Sequence, residues 1–325
     1  MQSRILGKSG LALSEIGLGC WQLGGDFGPI SEQDSLAILE QAYQSGVRFY
    51  DTADVYGAGL SESVLGKFYQ QHQDITIATK IGRDGSLYPN SYTKKGLQQG
   101  IEASLQRLGC DSVKLIQLHC IPFEVMQDGE IFTWLQDFKQ QGLIEHYGAS
   151  VESMDEAKLC LNDPQLTSLQ LIINLFRQEA LAEVLPLAAV NQVGIIARLP
   201  YASGLLSGAV TAQRQFAETD HRNYNRDGAA FHVGETFAGL PLEKALCLVE
   251  QLTPFLPNDL ALAECAIRWL LDQPQITSVI TGASKPQQIQ KNAAYAGHPP
   301  LPRVFHDRLA DFYQQQVSPW VRGNR

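Results

Sequence analysis

The chain has 325 residues, 44% of them apolar and 18% charged, with a formal net charge of −9. That length buries a large core as one big barrel or two modest domains, and the acidic balance argues against nucleic acids and anionic membranes as partners, since both select clustered Lys and Arg. With no signal-peptide layout at MQSRILGKSGLALS, no long apolar run, no CxxC among the six cysteines and no HExxH among the seven histidines, the expectation is a cytoplasmic protein with reduced thiols, no membrane span and no metal.

In chain order, RILGKSGLALSEIG reads as a β-hairpin turning at Lys8-Ser9-Gly10. Apolar runs of strand length follow: IGLG at 16–19, VRFY at 47–50, ITIAT at 75–79 and VKLIQL at 113–118. Four more come after them, IEHYGA at 144–149, SLQLII at 168–173, VGIIA at 193–197 and ITSVI at 276–280. Between them, stretches such as SEQDSLAILEQAYQSG and KKGLQQGIEASLQRLG carry helical spacing and end in glycine, as a helix C-terminus prefers. Uninterrupted apolar strands are those buried on both faces, so eight β-then-α units predict an α/β fold, a TIM (β/α)8 barrel, with residues 1–325 as one domain. The hairpin is expected to plug its N-terminal end. Residues 203–240, containing HRNYNRDGAAFHVGETFAG, are too long for an ordinary βα loop and predict a lid after strand seven.

Catalytic groups of such a barrel stand where strands end at its C-terminal face. VRFY runs into Asp51 and on to Tyr56, ITIAT into Lys80, and VKLIQL into His119. Singly, each has a bland explanation: a turn cap, a packing ring, a solvated strand end, a satisfied backbone group. Together on adjacent strands they supply a proton donor, its tuner and a polar guide for a carbonyl. A phenol with a free pKa of about 10 gives up its proton reluctantly. Lys80 is therefore expected to lower the pKa of Tyr56, Asp51 to hold Lys80, and His119 to orient a substrate oxygen.

No GxGxxG follows a strand, because Gln22 stands where the third glycine of IGLGCWQLGG would be, which argues against a Rossmann cofactor site. After the eighth strand, TGASKPQQIQKN places Gly282, Ser284 and Pro286 at a helix start with Lys285 adding charge, a setting suited to phosphate or to plain capping.

GVRFYDTADVYG with the ATK and QLH strand ends resembles the active-site pattern of the aldo-keto reductases, and the similarity continues through LGCDSVKLIQLH, QQGLIEHYGAS and GLLSG to ITGASKPQQIQKN. The resemblance implies a reductase that converts an aldehyde or ketone to an alcohol with Asp51, Tyr56, Lys80 and His119 as catalytic residues. It implies NADPH as cofactor, with NADH possible, and a small carbonyl compound as partner. It places Gly19, Cys20 and Trp21 in the first loop, Asp51 near the nicotinamide, Ser150 and Gln170 on the carboxamide, and Gln288 and Asn292 near the adenosine. From IIARLPYASGLLSG it takes Arg198, Leu199, Pro200, Gly204 and Leu206 as cofactor contacts.

The chain departs from the family pattern at Val151, where many relatives have Asn, at Cys120-Ile121-Pro122, where many have Trp-Pro-Asp, and at Arg198, where many have Tyr. A fixed charge at Arg198 predicts tighter binding of the neutral reduced ring than of the cationic oxidised one. Two other readings are carried forward: a Schiff-base lysine at Lys80, and a cofactor-sensing interaction subunit like the potassium-channel β subunits.

Overall fold

The structure is a computed structural model, described here for residues 1–257 and 260–323. Two short strands, β1 (Ser3–Ile5) and β2 (Ala12–Ser14), pair antiparallel across a turn at Gly7–Ser9. The barrel strands are β3 (Ile16–Gly19), β4 (Phe49–Asp51), β5 (Thr76–Ile81), β6 (Val113–His119), β7 (Ile144–Ser150), β8 (Ser168–Ile172), β9 (Gly194–Arg198) and β10 (Ile276–Gly282). All eight are parallel, in chain order, and closed by pairing of β10 with β3. This is the expected TIM barrel with its N-terminal hairpin. The last two residues, counted in the single domain of 1–325, lie outside the described set.

The helices follow their sequence signals. Ser31 caps the helix Glu32–Gln44 by accepting from the Asp34 amide, Thr93 caps Lys94–Leu108 through the Gly96 amide, and Gly109 ends the latter in the left-handed conformation. Each helix lays an apolar stripe on the barrel, for example Leu97, Ile101, Leu105 and Leu108.

Side chains alternate along a strand with period two, and that period builds the site. Inside the barrel, Phe49, Ala78, Leu115, Ile196 and Ile280 form one apolar layer with Leu6 and Leu13 of the hairpin packed beneath it. The hairpin is thus a plug: Leu6 and Leu13 are fully buried. The plug seats closely, since a Cβ on Gly194 would lie 2.4 Å from Leu6 Cδ1 and 2.9 Å from the Gly7 amide. Two residues further along the same strands stand Asp51, Lys80, Gln117, Arg198 and Gly282. The apolar layer seals the bottom and a polar layer opens at the mouth.

The segment 203–240, expected as a lid, is made of short turns, including 3-10 segments Ala202–Ser207 and Val233–Glu235 and a helical turn at His221–Tyr224, and it lines the mouth.

Candidate active site

Lys80 lies within β5, and His119 is the last residue of β6, both one position or more deeper than a loop location. The Lys80 Nζ donates to Asp51 Oδ1, to the Thr52 carbonyl at 3.0 Å and to the Tyr56 hydroxyl at 3.3 Å. Asp51 is held from its other side by Gln117 Nε2 at 3.1 Å and Gln170 Nε2 at 2.8 Å. Burying a carboxylate is costly unless its oxygens are hydrogen-bonded, and these donors supply those bonds. Gln117 escaped the sequence reading although it shares the inward face of His119, two residues away; strand alternation would have found it.

Tyr56 sits in the turn between β4 and the helix Leu60–Tyr69. That turn is clamped to the first loop where two glycines meet: a Cβ on Gly24 would lie 2.6 Å from the Gly57 amide, and Gly57 has φ +57°. Trp21 stacks on Tyr56 with ring centroids 5.8 Å apart, and His119 meets the tyrosine edge-on at 5.7 Å. Trp21 is therefore a wall of the mouth rather than a core tryptophan.

Burial pushes the Tyr56 phenol up to about 12, with Lys80 opposing that shift and Asp51 adding to it. The expected lowering by Lys80 is present but outweighed by desolvation, so the net direction is corrected. Burial alone would lower Lys80, yet Asp51 and Tyr56 raise it on balance and the ammonium stays charged. His119 is driven well below its ordinary value, first by burial and then by Lys80, Arg83 and Arg198, so its ring is neutral; its Nδ1 has no hydrogen-bond partner. The arrangement is a protonated phenol beside a fixed cation and a neutral imidazole, which is a proton donor aimed at a developing oxyanion.

The mouth opens into a cavity of about 710 Å³ lined by Gly19, Cys20, Trp21, Asp51, Ser150, Gln170, Arg198, Leu199, Pro200, Gly204, Gly282, Ser284, Gln288 and Asn292. Leu206 and Lys285 are not among the lining residues; Leu206 is fully buried in the core. Several partners differ from expectation. Gln288 Oε1 accepts from the Ser284 and Lys285 amides at 2.7 and 3.1 Å, so the helix Pro286–Tyr295 caps itself with the amides expected to meet phosphate. Asn292 accepts from the Tyr201 hydroxyl at 2.7 Å.

The three departures from the family pattern converge. Arg198 pairs with Glu235 of the lid, donates to the Val151 carbonyl at 3.2 Å and reaches Cys120 Sγ at 3.7 Å. Glu235 is a counter-ion for Arg198 that the expected bias toward the reduced nicotinamide did not include. Cys120, Glu152 and Glu235 also bring ligand-type atoms within 4.8 Å of one another, a grouping invisible in sequence, and Arg198 hydrogen-bonds two of the three. Burial pushes the Cys120 thiol up to about 12, so it is not a reactive thiolate.

The lid docks through rings. His221 lies 4.9 Å from Trp21 and 4.7 Å from Phe27, and Phe231 lies 6.1 Å from Trp21. Arg222, bound by Asp220 through two hydrogen bonds of 2.9 and 2.6 Å, stacks over Phe216 at 4.6 Å.

A plugged parallel barrel with a buried acid, lysine, tyrosine and histidine at its C-terminal mouth defines a barrel oxidoreductase. Residues 15–314 match the Aldo/keto reductase family, and the chain belongs to it. It is 32% identical to an uncharacterised oxidoreductase of Bacillus subtilis over 90% of each chain. It is 30% identical to a probable voltage-gated potassium channel subunit beta of Arabidopsis thaliana, again over 90% of each. An aldo-keto reductase from Bacillus halodurans in its holo form superposes with a TM-score of 0.77 at 26% identity, covering 98% of this chain and 99% of that one.

Proposed function

We propose that this oxidoreductase reduces an aldehyde or ketone to an alcohol with NADPH, and that Tyr56 is the proton donor. The observation that carries the proposal is buried Lys80 bridging Asp51 and the Tyr56 hydroxyl. When bound, the nicotinamide supplies the hydride. The chain's own residues do the rest. Tyr56 keeps its proton until negative charge develops on the substrate oxygen, Lys80 stabilises the phenolate left behind, and Asp51 with Gln117 and Gln170 fixes Lys80 in place. Neutral His119 orients the oxygen, and Trp21 walls the substrate.

The cavity fits an extended dinucleotide: it runs from the tetrad to Ser284, Lys291 and Asn292 beside β10, which stands opposite β6 in the ring. We assign Gly19, Cys20, Ser150, Gln170, Arg198, Leu199, Pro200, Gly204, Gly282, Ser284, Gln288 and Asn292 to that cofactor. NADPH is preferred to NADH because the lining near β10 includes Lys291 and no carboxylate, whereas a ribose 2′-hydroxyl is usually held by one. We also propose one domain over the chain and a cytosolic location, supported by the family match, six free cysteines and the lack, among the described residues, of any helix long and apolar enough to cross a membrane.

Oxidation of NADPH and NADH with a panel of aldehydes and ketones tests this. Carbonyl-dependent oxidation, faster with NADPH, is expected. The relative named as a channel subunit favours a second reading, a cofactor-sensing interaction subunit; intact NADPH binding without turnover of any carbonyl would select it.

A further inference from the structure

The mouth is cationic although the chain is acidic: six Lys and Arg line the cavity against three carboxylates, while the whole chain carries −9. Most of these cations already have a fixed partner or face the far pole. Lys80 is bound to Asp51, Arg198 to Glu235 and Arg222 to Asp220. Lys291 belongs to the helix after β10, across the ring from His119, and Arg214 to the lid. Arg83 follows β5 on the tetrad side. It stands three residues after Lys80 and lines the same cavity as Tyr56 and His119.

Arg83 is loosely held. Its Nη1 reaches Glu152 Oε1 at 3.5 Å, the outer limit of a hydrogen bond, and its guanidinium lies 5.4 Å over the Tyr88 ring. It makes no other side-chain hydrogen bond among the described residues. Burial and then Glu235 push Glu152 up to about 7, with Arg83 and Arg198 opposing, and Glu235 itself is already paired with Arg198. The side chain is 20% exposed and lines the cavity, so its planar fork of N–H donors is free to meet a planar anion in a site largely shielded from water.

We propose that Arg83 binds a carboxylate carried close to the reacting carbonyl, making short oxo acids and acid aldehydes the substrate class. This rests on carbonyl reduction at Tyr56 and adds to it where the anionic end goes. The geometry seats the carbonyl oxygen between Tyr56 and His119 with the carboxylate toward the β5 and β7 loops, away from the pole assigned to the cofactor phosphates.

The test compares 4-oxobutanoate with its methyl ester, which has the same carbonyl and no charge. Wild type should show kcat/KM at least about tenfold higher for the acid, the scale of one charged hydrogen-bonded contact. Arg83→Met should erase that preference, costing the acid far more than the ester, and Arg83→Lys should restore part of it. In parallel, succinate binding to the NADPH-loaded protein, followed by tryptophan emission, should weaken at least about tenfold in Arg83→Met with an unchanged melting temperature. Equal rates for acid and ester in wild type, or equal losses in the variant, overturn the proposal. Succinate binding that depends on Arg83 without turnover of either aldehyde would uphold the anion site and overturn the reductase reading instead.

Discussion

At the tetrad, burial and charge act on the same atoms in opposite directions, and the outcome differs from residue to residue. For Lys80 the neighbouring Asp51 and Tyr56 together outweigh burial, while for Tyr56 desolvation wins. Lys80→Met should leave Asp51 as a buried charge held by amides alone and cost about 3–5 kcal/mol in urea unfolding. A loss near zero would mean that the buried pair contributes no net stability. His221 gives a second prediction at this scale. Burial, then Arg222, with Asp220 opposing, sets its pKa at about 4, against roughly 6.5 when unfolded. Between those values the unfolded chain takes a proton that the native one refuses, so stability contributed by the neutral ring is present above pH 6.5 and lost as pH falls toward 4. The gap corresponds to roughly 3 kcal/mol, so His221→Leu should gain about that much relative to wild type between pH 7.5 and pH 4. A relative stability that does not change with pH would show that the imidazole takes its proton as readily in the fold as in the unfolded chain.

Two elements outside the eight barrel strands cover the two ends of the barrel. The hairpin closes the bottom, far from the chemistry: Leu13→Ala should cost about 2–5 kcal/mol through the cavity it leaves while kcat stays near wild type. A proportionate fall in kcat would mean that the plug shapes the mouth. The lid is tied down by Glu235 on Arg198 and by rings around Trp21. Glu235→Gln should therefore speed limited proteolysis in the exposed stretch 211–219, and NADPH should slow cleavage of the wild type. Identical cleavage of both proteins, with and without NADPH, would remove the lid from the account.

Across the molecule, what was legible followed from periodicity. Eight buried runs gave the barrel, and strand ends gave Asp51, Lys80 and His119, because parallel strands hide both faces and leave polar residues only where the mouth opens. Less legible were partners distant in sequence. Nothing local ties Gln170 to Asp51 across 119 positions, or Glu235 to Arg198, so the charge expectation at Arg198 was made without its counter-ion. The direction at Tyr56 was missed for a similar reason: sequence names the cation beside the phenol but not the depth at which both lie. Gln288 lines the cavity and also caps its own helix, a second use of that spacing that only the folded loop displays.

The central claim is that Tyr56 delivers the proton to a carbonyl. Its most direct test is NADPH-dependent carbonyl reduction by Tyr56→Phe, with NADPH affinity measured on the same preparation. The account predicts a fall in kcat of about 10²–10⁴ with cofactor affinity little changed. Full reduction by the phenylalanine variant, with normal cofactor binding, would contradict it.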